Sequence, residues 1–491
     1  MTRQRGVAWL LAAGFILCAA VNLPGHLSYD SIMQLNEGRR GFYANWHPPM
    51  MSWLLGVFDW VWPGTALFVL FDLALLFGSL AALWWIGIPP SARSAGTSPA
   101  EAGEVPGVAR AATDGGGHSR FFTPAIIVLA LCLLTPQFLL YEGIVWKDVL
   151  FADLAIAGFA ALAFAAAYWT HRRLRIAAIV KCFVLLSVAT LVRQNGGVVL
   201  PAAVIALGWI AWQQNSARRI RMAALYGLLA VIGSSAAVVG THSALALRIP
   251  GDPSPAVQFR LLQFYDLIGA LKTDPKLEFV YFADDDPALE QLMRTDGVAL
   301  YSPQRNDTLA SSARLQKAYF ASPDETIPEE WHALIANHFG LYLRIRAEVF
   351  RWVVLTPNLQ ACRPVFSGIE GPAEQMNRLG LKKRFDARDA ALGYYSQLFV
   401  GTPIFSHPVF ALLATLLLVP LFARRTAPDI AIAFMLLSTF AFTASFFVIS
   451  IACDYRYLYF LDLATLVAAF YVALDWRTAW EATRRIWLRG A

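Results

Sequence analysis

Residues 149–168, VLFADLAIAGFAALAFAAAY, form an apolar stretch in which Asp153 is the only charged side chain. An α-helix rises about 1.5 Å per residue, so a helix of this length spans the roughly 30 Å hydrocarbon core of a bilayer. The small residues Ala and Gly make up much of the stretch, as is common where membrane helices pack closely. The stretch therefore predicts a transmembrane helix.

Similar apolar windows recur along the chain, which is 57% hydrophobic and only 15% charged over 491 residues. Soluble domains are much less apolar, so these windows predict an all-α polytopic membrane protein with about ten transmembrane helices. The first window also has features of a signal peptide, but the long multi-spanning chain after it favours an uncleaved helix. The windows are centred on residues 7–24, 64–87, 122–140, 149–168, 176–192, 197–213, 222–244, 403–422, 429–451 and 456–474.

Basic clusters between the windows predict the orientation. If every window spans, the clusters all fall on one side, which the positive-inside rule assigns to the cytoplasm together with both termini. We expect a multi-pass protein of the inner (cytoplasmic) membrane, with its site facing the periplasm or exterior. The net charge of +6 does not indicate nucleic-acid binding, because the basic residues lie in short loops. The clusters are Arg3 and Arg5, Arg172/Arg173/Arg175, Arg218/Arg219/Arg221, Arg424/Arg425 and Arg484/Arg485.

The spacing of the windows predicts three parts. Residues 1–244 form an N-terminal transmembrane module with catalytic outer loops, and residues 403–491 form the C-terminal transmembrane helices and a cytoplasmic tail. Between them, residues 245–402 are too long for a linker and predict a mostly helical extracytoplasmic soluble domain. Residues 88–121, rich in Gly, Ala, Ser and Pro, predict a disordered cytoplasmic loop. No internal repeat is evident, which argues against a transporter.

The segment after the first window, residues 28–56 SYDSIMQLNEGRRGFYANWHPPMMSWLLG, is unusually polar for the exit of a membrane helix. Pro48 and Pro49 restrict the backbone around His47, so we expect a stiffened loop. A stiff loop suits a catalytic carboxylate, which has to be held in register with its substrate. The segment therefore indicates Asp30 as a candidate catalytic group.

Other outer helix ends also carry acids and bases. Basic residues outside oppose the positive-inside bias, so they indicate an anionic ligand, and a guanidinium is well suited to phosphate. For any single residue, a solvated or snorkelling charge remains the alternative. The intramembrane acids Asp72 and Asp153 are either functional or satisfied by neighbouring helices. We assign Asp30 and Asp148 as catalytic candidates and, as substrate-binding candidates, His47, Lys147, Arg193, Arg456, Glu142 and Arg40.

The five cysteines show no metal-binding spacing, and we expect no cofactor. A disulfide between Cys362 and Cys453, both on the predicted outer side, is left open. Asp30 is followed by Ser31 and no Asp-x-Asp lies in that loop, so no metal site is assigned, and dependence on a divalent metal is left open as well.

Four motifs of this sequence, taken together, resemble those of the GT-C superfamily of integral-membrane glycosyltransferases, in particular bacterial relatives of the protein O-mannosyltransferases and aminoarabinose transferases. The motifs are an acid beyond the first helix, His-Pro-Pro before the second, an acid in the next outer loop, and a D-x-R-Y segment before the last helix. They cover residues 1–215 and the last helices. The resemblance implies that Asp30 is the general base and Asp148 the second loop acid, with His47 and Arg456 matching the remaining motifs.

The resemblance implies the function of an inverting glycosyltransferase that moves a sugar from a polyprenyl-phosphate donor to an extracytoplasmic glycan, lipid or protein acceptor. Its partners are this donor, the acceptor and membrane lipids, with no nucleic acid. A lipid-linked oligosaccharide polymerase or ligase, a transporter or flippase for a lipid-linked sugar, and a non-catalytic scaffold protein are the alternatives.

Overall fold

The computed structural model describes residues 3–44, 47–87, 123–215, 217–250 and 256–490. In these ranges the chain is helical, and its isolated β-bridges do not extend into strands. The prediction of an all-α protein is therefore confirmed. The predicted cytoplasmic loop at 88–121 lies outside the described residues.

The N-terminal part supplies most of the membrane helices. All helices of this part, spanning or not, are in chain order α1 Arg3–Asn22, α2 Tyr29–Arg40, α3 Pro49–Val61, α4 Ala66–Gly87, α5 Thr123–Leu133, α6 Pro136–Leu139, α7 Lys147–Ala167, α8 Arg172–Val192, α9 Val199–Gln214 and α10 Arg219–Ala246. Short 3-10 turns at Tyr141–Gly143 and Gly196–Val198 precede α7 and α9.

The part predicted to lie outside, residues 256–402 of the described chain and called the outer part below, contains shorter helices. These are α11 Ala256–Thr273, α12 Phe282–Asp285, α13 Pro287–Leu292, α14 Val298–Leu300, α15 Ala313–Ala321, α16 Thr326–Asn337, α17 Phe339–Leu355, α18 Ala373–Leu379 and α19 Ala387–Gln397. The chain then returns to long apolar helices, α20 His407–Arg424, α21 Ala427–Ile449 and α22 Tyr459–Leu474, and ends the described part with α23 Trp476–Gly490.

Nine helical segments in the described part of the chain are long and apolar enough to cross a membrane. A tenth is added if α5 and the helical turns over Pro136–Gly143, which are bent by 65° from it, count as one broken span. The prediction of about ten transmembrane helices is confirmed, and the protein is a multi-pass membrane protein.

Helix α7, which contains the apolar stretch 149–168, lies at the centre of the bundle. Its apolar window is 94% buried, and it packs against α4, α8 and α21. Small residues make this packing possible: a Cβ atom at Gly158 would come within 2.7 Å of the Leu186 side chain of α8. Close approach of this kind strengthens van der Waals contact between membrane helices. The charged N-terminus of α7 is therefore held firmly at one end of the bundle.

The predicted outer domain has two structural parts. Side chains between Leu262 and Val349 form a hydrophobic core of their own. Beyond it, Val353, Ile369 and Leu392 pack into the large core of the membrane helices. The first part therefore resembles a separate domain. Residues 353–402 form a cover on the membrane bundle, called the outer cover below.

A buried, ion-paired arginine of the separate core connects that core to a membrane helix. The side chains of Arg346 in α17 and Asp266 in α11 are both 0% exposed, and Arg346 Nη1 lies 2.8 Å from Asp266 Oδ1. Arg346 also donates to the carbonyls of Phe447 and Ser450 at the C-terminal end of α21. Those carbonyls carry the negative end of the helix dipole, so Arg346 both neutralises Asp266 and caps α21.

Replacing Arg346 with Lys is expected to lower the free energy of unfolding by about 1–3 kcal/mol. A lysine keeps the positive charge but cannot reproduce the planar set of hydrogen bonds to Asp266 and the two carbonyls. Chemical unfolding of the purified full chain in mixed micelles measures the change. Arg351→Lys on the exposed side of the same helix is the control and should be neutral. An unchanged stability in Arg346→Lys would show that the fork of hydrogen bonds contributes little.

Candidate functional site

A cavity of about 1440 Å³ lies between the outer ends of the membrane helices and the outer part of the chain. Ligand pockets for small molecules are typically about 300–1000 Å³, so this cavity has room for more than one sugar-sized group. Aromatic and aliphatic side chains form much of its wall. Its acidic, basic and histidine lining residues are Asp30, His47, Lys147, Arg193, Arg305, Asp307, Arg363, Glu370, Asp454 and Arg456.

Asp30 lies in the first turn of helix α2, and not in a loop as expected from the sequence. The helix forms because Ile32 and Leu35 are buried on one face, while the N–H of Ser28 donates to the Ser31 hydroxyl at its start. Gly41, with φ of 69°, ends the helix in the left-handed conformation. The rigid mounting expected for Asp30 is therefore supplied by a helix.

His47 and Lys147 meet beside Asp30. Lys147 Nζ lies 3.1 Å from His47 Nδ1, and His47 Nε2 lies 3.9 Å from Asp30 Oδ1. Burial, helped by the charge of Lys147, lowers the pKa of His47 to about 3. A neutral His47 can accept a hydrogen bond from the Lys147 ammonium. Among the residues the structure describes, no carboxylate lies within ion-pair distance of Lys147.

Arg456 connects three carboxylates. It lies in the 3-10 turn Tyr455–Leu458 that precedes α22. Its Nη2 donates to Asp30 Oδ2 at 2.7 Å and to Asp454 Oδ2 at 3.1 Å, and its Nε lies 3.6 Å from Asp148 Oδ2. The guanidinium also stacks over Trp146, 4.7 Å from the ring centroid. These contacts bring the D-x-R-Y segment and the two candidate acids together.

Asp148 lies behind the cavity wall, where it forms an ion pair with Arg193. The two side chains are 1% and 4% exposed, so the pair is shielded from water. The Arg193 guanidinium also lies 5.4 Å from the ring centroid of Tyr457, a favourable cation–π distance. Burial lowers the pKa of Arg193 to about 10, which leaves it charged at neutral pH. Asp148 therefore does not line the cavity itself but contacts two arginines that do, Arg193 and Arg456.

The charges around Asp30 determine its protonation. Burial on its own would raise the pKa of Asp30, but the positive charge of Arg456, above all, outweighs it and holds the pKa well below the usual range. The carboxylate is ionised in the resting site and held in a charge-assisted hydrogen bond. Any proton transfer to Asp30 therefore requires Arg456 to be engaged elsewhere.

His47 is expected to stay neutral and Asp30 ionised between about pH 5 and 8, because the pKa of His47 is lowered to about 3 and that of Asp30, ordinarily already below this window, is lowered further. An ordinary histidine titrates there, so the pH dependence of isotope-labelled histidine NMR signals measures the difference. Subtracting the spectrum of His47→Gln assigns the signal. A His47 midpoint near 6.5 would contradict the burial of this ring.

Besides Asp148, two candidates do not line the cavity. Arg40 is exposed at the C-terminal end of α2 and does not line it. Glu142 is buried inside the bundle, where its Oε1 accepts a hydrogen bond from the Tyr459 hydroxyl at 2.8 Å. The intramembrane acids Asp72 and Asp153 lie close enough to Glu142 to interact with it, also away from the cavity lining. Glu142 is therefore part of an interior polar cluster.

Sequence reasoning missed two arginines of the outer part. Arg305 Nη2 donates to Asp454 Oδ1 at 3.0 Å and to the Ala361 carbonyl at 2.9 Å, and Arg363 lines the same cavity. Both lie in irregular segments with no motif, so only the fold reveals them. The disulfide left open by the sequence is formed: Cys362 is bonded to Cys453, next to Asp454.

No three His, Cys, Asp or Glu side chains come together as a metal site anywhere in the ranges that the structure covers. Comparison of the chain with models of protein families, with curated protein sequences and with solved structures finds no match. A function has to be inferred from the cluster itself, in which a carboxylate, a lysine and an arginine share one cavity at the end of a membrane bundle.

Proposed function

We propose that the protein is an inverting glycosyltransferase that moves a sugar from a polyprenyl-phosphate donor to an acceptor hydroxyl outside the membrane. The observation that carries the proposal is the position of Asp30 beside Lys147 and Arg456 in one large cavity at the end of the bundle. A carboxylate next to two cations suits a reaction that takes a proton and releases a phosphate.

In the proposed reaction, the acceptor oxygen forms a bond to the anomeric carbon of the sugar while the bond from that carbon to the phosphate oxygen breaks. The acceptor proton passes to the Asp30 carboxylate. The electron pair of the broken bond stays on the leaving polyprenyl phosphate, whose negative charge grows by one. Lys147 and Arg456 lie where they can stabilise that charge. Attack opposite to the leaving group inverts the anomeric configuration.

The hydrogen bond between Arg456 and Asp30 explains how the Asp30 carboxylate, a weak base in the resting site, becomes an effective one. In the resting site Arg456 is hydrogen-bonded to Asp30 and holds its pKa low. A donor phosphate competes for the same guanidinium, and a dianionic leaving group competes more strongly. As Arg456 turns toward the phosphate, Asp30 loses its partner and becomes a stronger base. Donor binding would in this way prepare the carboxylate for the acceptor.

The membrane setting supports a lipid-linked donor. The cavity lies at the ends of apolar helices, so a polyprenyl chain could remain in the bilayer while its head group enters. The basic clusters of the loops assign the opposite side to the cytoplasm. The Cys362–Cys453 disulfide beside the cavity favours an oxidising compartment. Both support a site that faces the periplasm or exterior of the inner membrane.

The direct test is a transfer assay with the purified full chain in nanodiscs and a panel of polyprenyl-phosphate hexoses and pentoses. The acceptor is supplied as a membrane extract, and NMR of the product reports the configuration at the anomeric carbon. Transfer with inversion supports the proposal. Transfer with retention contradicts it, because the single-displacement step has no retaining outcome.

The alternatives give different results in the same preparation. A flippase would move a fluorescent lipid-linked sugar across proteoliposomes without forming a new glycosidic bond. A polymerase or ligase would use an oligosaccharide on a pyrophosphate carrier and not a monosaccharide on a monophosphate. A scaffold protein would do neither. Each of these results would replace the proposed function.

A further inference from the structure

Arg363 differs from the other arginines that line the cavity. Arg193, Arg305 and Arg456 each form an ion pair with a carboxylate. The exposed guanidinium of Arg363 makes no hydrogen bond or ion pair with any residue that the structure describes, although it lines the same space. Its positive charge therefore lies at the cavity without an ion-paired or hydrogen-bonded partner in the described part of the chain.

The backbone at Arg363 is held in an unusual conformation. Its φ is 42°, in the left-handed region that costs a non-glycine residue about 1–2 kcal/mol. Such outliers persist where the surrounding structure enforces them, and they are concentrated at functional sites. Here the preceding residue, Cys362, is bonded to Cys453, and its carbonyl accepts a hydrogen bond from the Tyr455 N–H at 2.8 Å. Arg363 is thus fixed to the segment that carries Arg456.

Two cations in the cavity consequently lack a carboxylate partner in the described chain, Lys147 on the membrane helices and Arg363 on the outer cover. A donor with one phosphate needs only one of these cations, Lys147. A guanidinium binds phosphate or carboxylate through two parallel hydrogen bonds, so the second cation fits a second anion. Because Arg363 belongs to the outer cover, that anion would approach from the side opposite to the lipid, where the acceptor enters.

We propose that Arg363 is an acceptor subsite and that the acceptor is a saccharide carrying a phosphate or a carboxylate, held by this guanidinium. The word acceptor rests on the proposed glycosyltransferase function, whereas the anion site rests on Arg363 alone. The left-handed backbone at Arg363, next to the Cys362–Cys453 disulfide, sets where this side chain enters the cavity.

Arginine modification by phenylglyoxal tests the subsite on the intact wild-type protein. Mass spectrometry of peptides measures the modification rate of Arg363, with exposed Arg378, paired with Glu374 outside the cavity, as the internal reference. Glucose 1-phosphate and glucuronate are the anionic probes, and glucose with sodium chloride at matched ionic strength is the neutral control. An anion at a few times its Kd should slow modification of Arg363 by about fivefold and leave Arg378 unchanged.

The probes also separate the two anion chemistries. Protection by glucose 1-phosphate alone assigns a phosphate, and protection by glucuronate alone assigns a carboxylate. No protection by either, or equal protection by glucose with salt, would overturn the proposal. Sugar transfer is not needed for this measurement. Protection in a protein that transfers no sugar would reject the glycosyltransferase and keep the anion site, whereas transfer without protection would do the reverse.

Separate KM values for the acceptor and the donor give a second test once an acceptor is known. Arg363→Gln should raise the KM for the acceptor by about tenfold, the loss expected for one charge-assisted hydrogen-bonded contact, and leave the KM for the donor unchanged. Equal effects on both would show that the substitution disturbs the cavity as a whole, which would contradict a separate acceptor subsite.

Discussion

Replacing Asp30 with Asn is expected to lower kcat for sugar transfer by about a hundredfold or more, while the KM for the donor stays the same or falls. General-base catalysis by a positioned carboxylate is worth about 10²–10⁴-fold, and an amide cannot accept the acceptor proton. The donor should bind no less tightly, because Asp30 competes with phosphate for Arg456 in the resting site. Initial rates over a range of donor concentrations separate the two parameters.

This combination of effects distinguishes a base from a structural residue. A residue that only holds Arg456 in place would, when replaced, weaken donor binding and raise its KM. Asp324→Asn is the matched control, since this carboxylate is 97% exposed on the outer part, away from the cavity. It should behave as wild type. Full activity in Asp30→Asn would move the role of base to another group and remove the main support for the proposed mechanism.

The membrane helices could be predicted from the sequence because a bilayer imposes a simple rule on length and polarity. The stretch 149–168 meets that rule, and it forms the central helix α7. Helix α2 does not meet it: the twelve residues Tyr29–Arg40 are polar overall, and four of the six buried ones, Ser31, Gln34, Asn36 and Glu37, are polar. A helix this short is stabilised by its packing against the rest of the protein. Its sequence alone was therefore equally compatible with a loop.

The site was predictable where its residues lie at the ends of spanning helices, as with Lys147, Arg193 and Arg456. Their positions along the membrane follow from the spans, and that is enough to bring them to one side. The partners of each charge were not predictable, because pairing depends on how the helices are arranged around one another. Asp148 lies next to Lys147 in the chain, yet it turns behind the wall to Arg193, and Arg305 comes from a loop without any recognisable pattern.

Replacing Asp148 with Asn is expected to lower the free energy of unfolding by about 3–5 kcal/mol. The substitution leaves the Arg193 guanidinium, which is 4% exposed, without its carboxylate, and an unpaired buried charge is strongly destabilising. Chemical unfolding in mixed micelles measures the change. Glu374→Gln, which breaks an exposed pair with Arg378, is the control and should have little effect because surface ion pairs contribute little. Wild-type stability in Asp148→Asn would mean that water reaches Arg193.

The double variant Asp148→Asn/Arg193→Met separates stability from function. Removing both charges leaves no unpaired ion, and a methionine suits the aromatic surroundings of Arg193, so the double variant should be more stable than the single one. Transfer activity should nevertheless stay low, because Asp148 also lies 3.6 Å from Arg456 Nε and helps to aim that guanidinium. A raised KM for the donor at recovered stability would show that the Asp148–Arg193 pair also positions or binds the donor, beyond holding the bundle together. Recovery of both stability and activity would show that its role is confined to holding the bundle together.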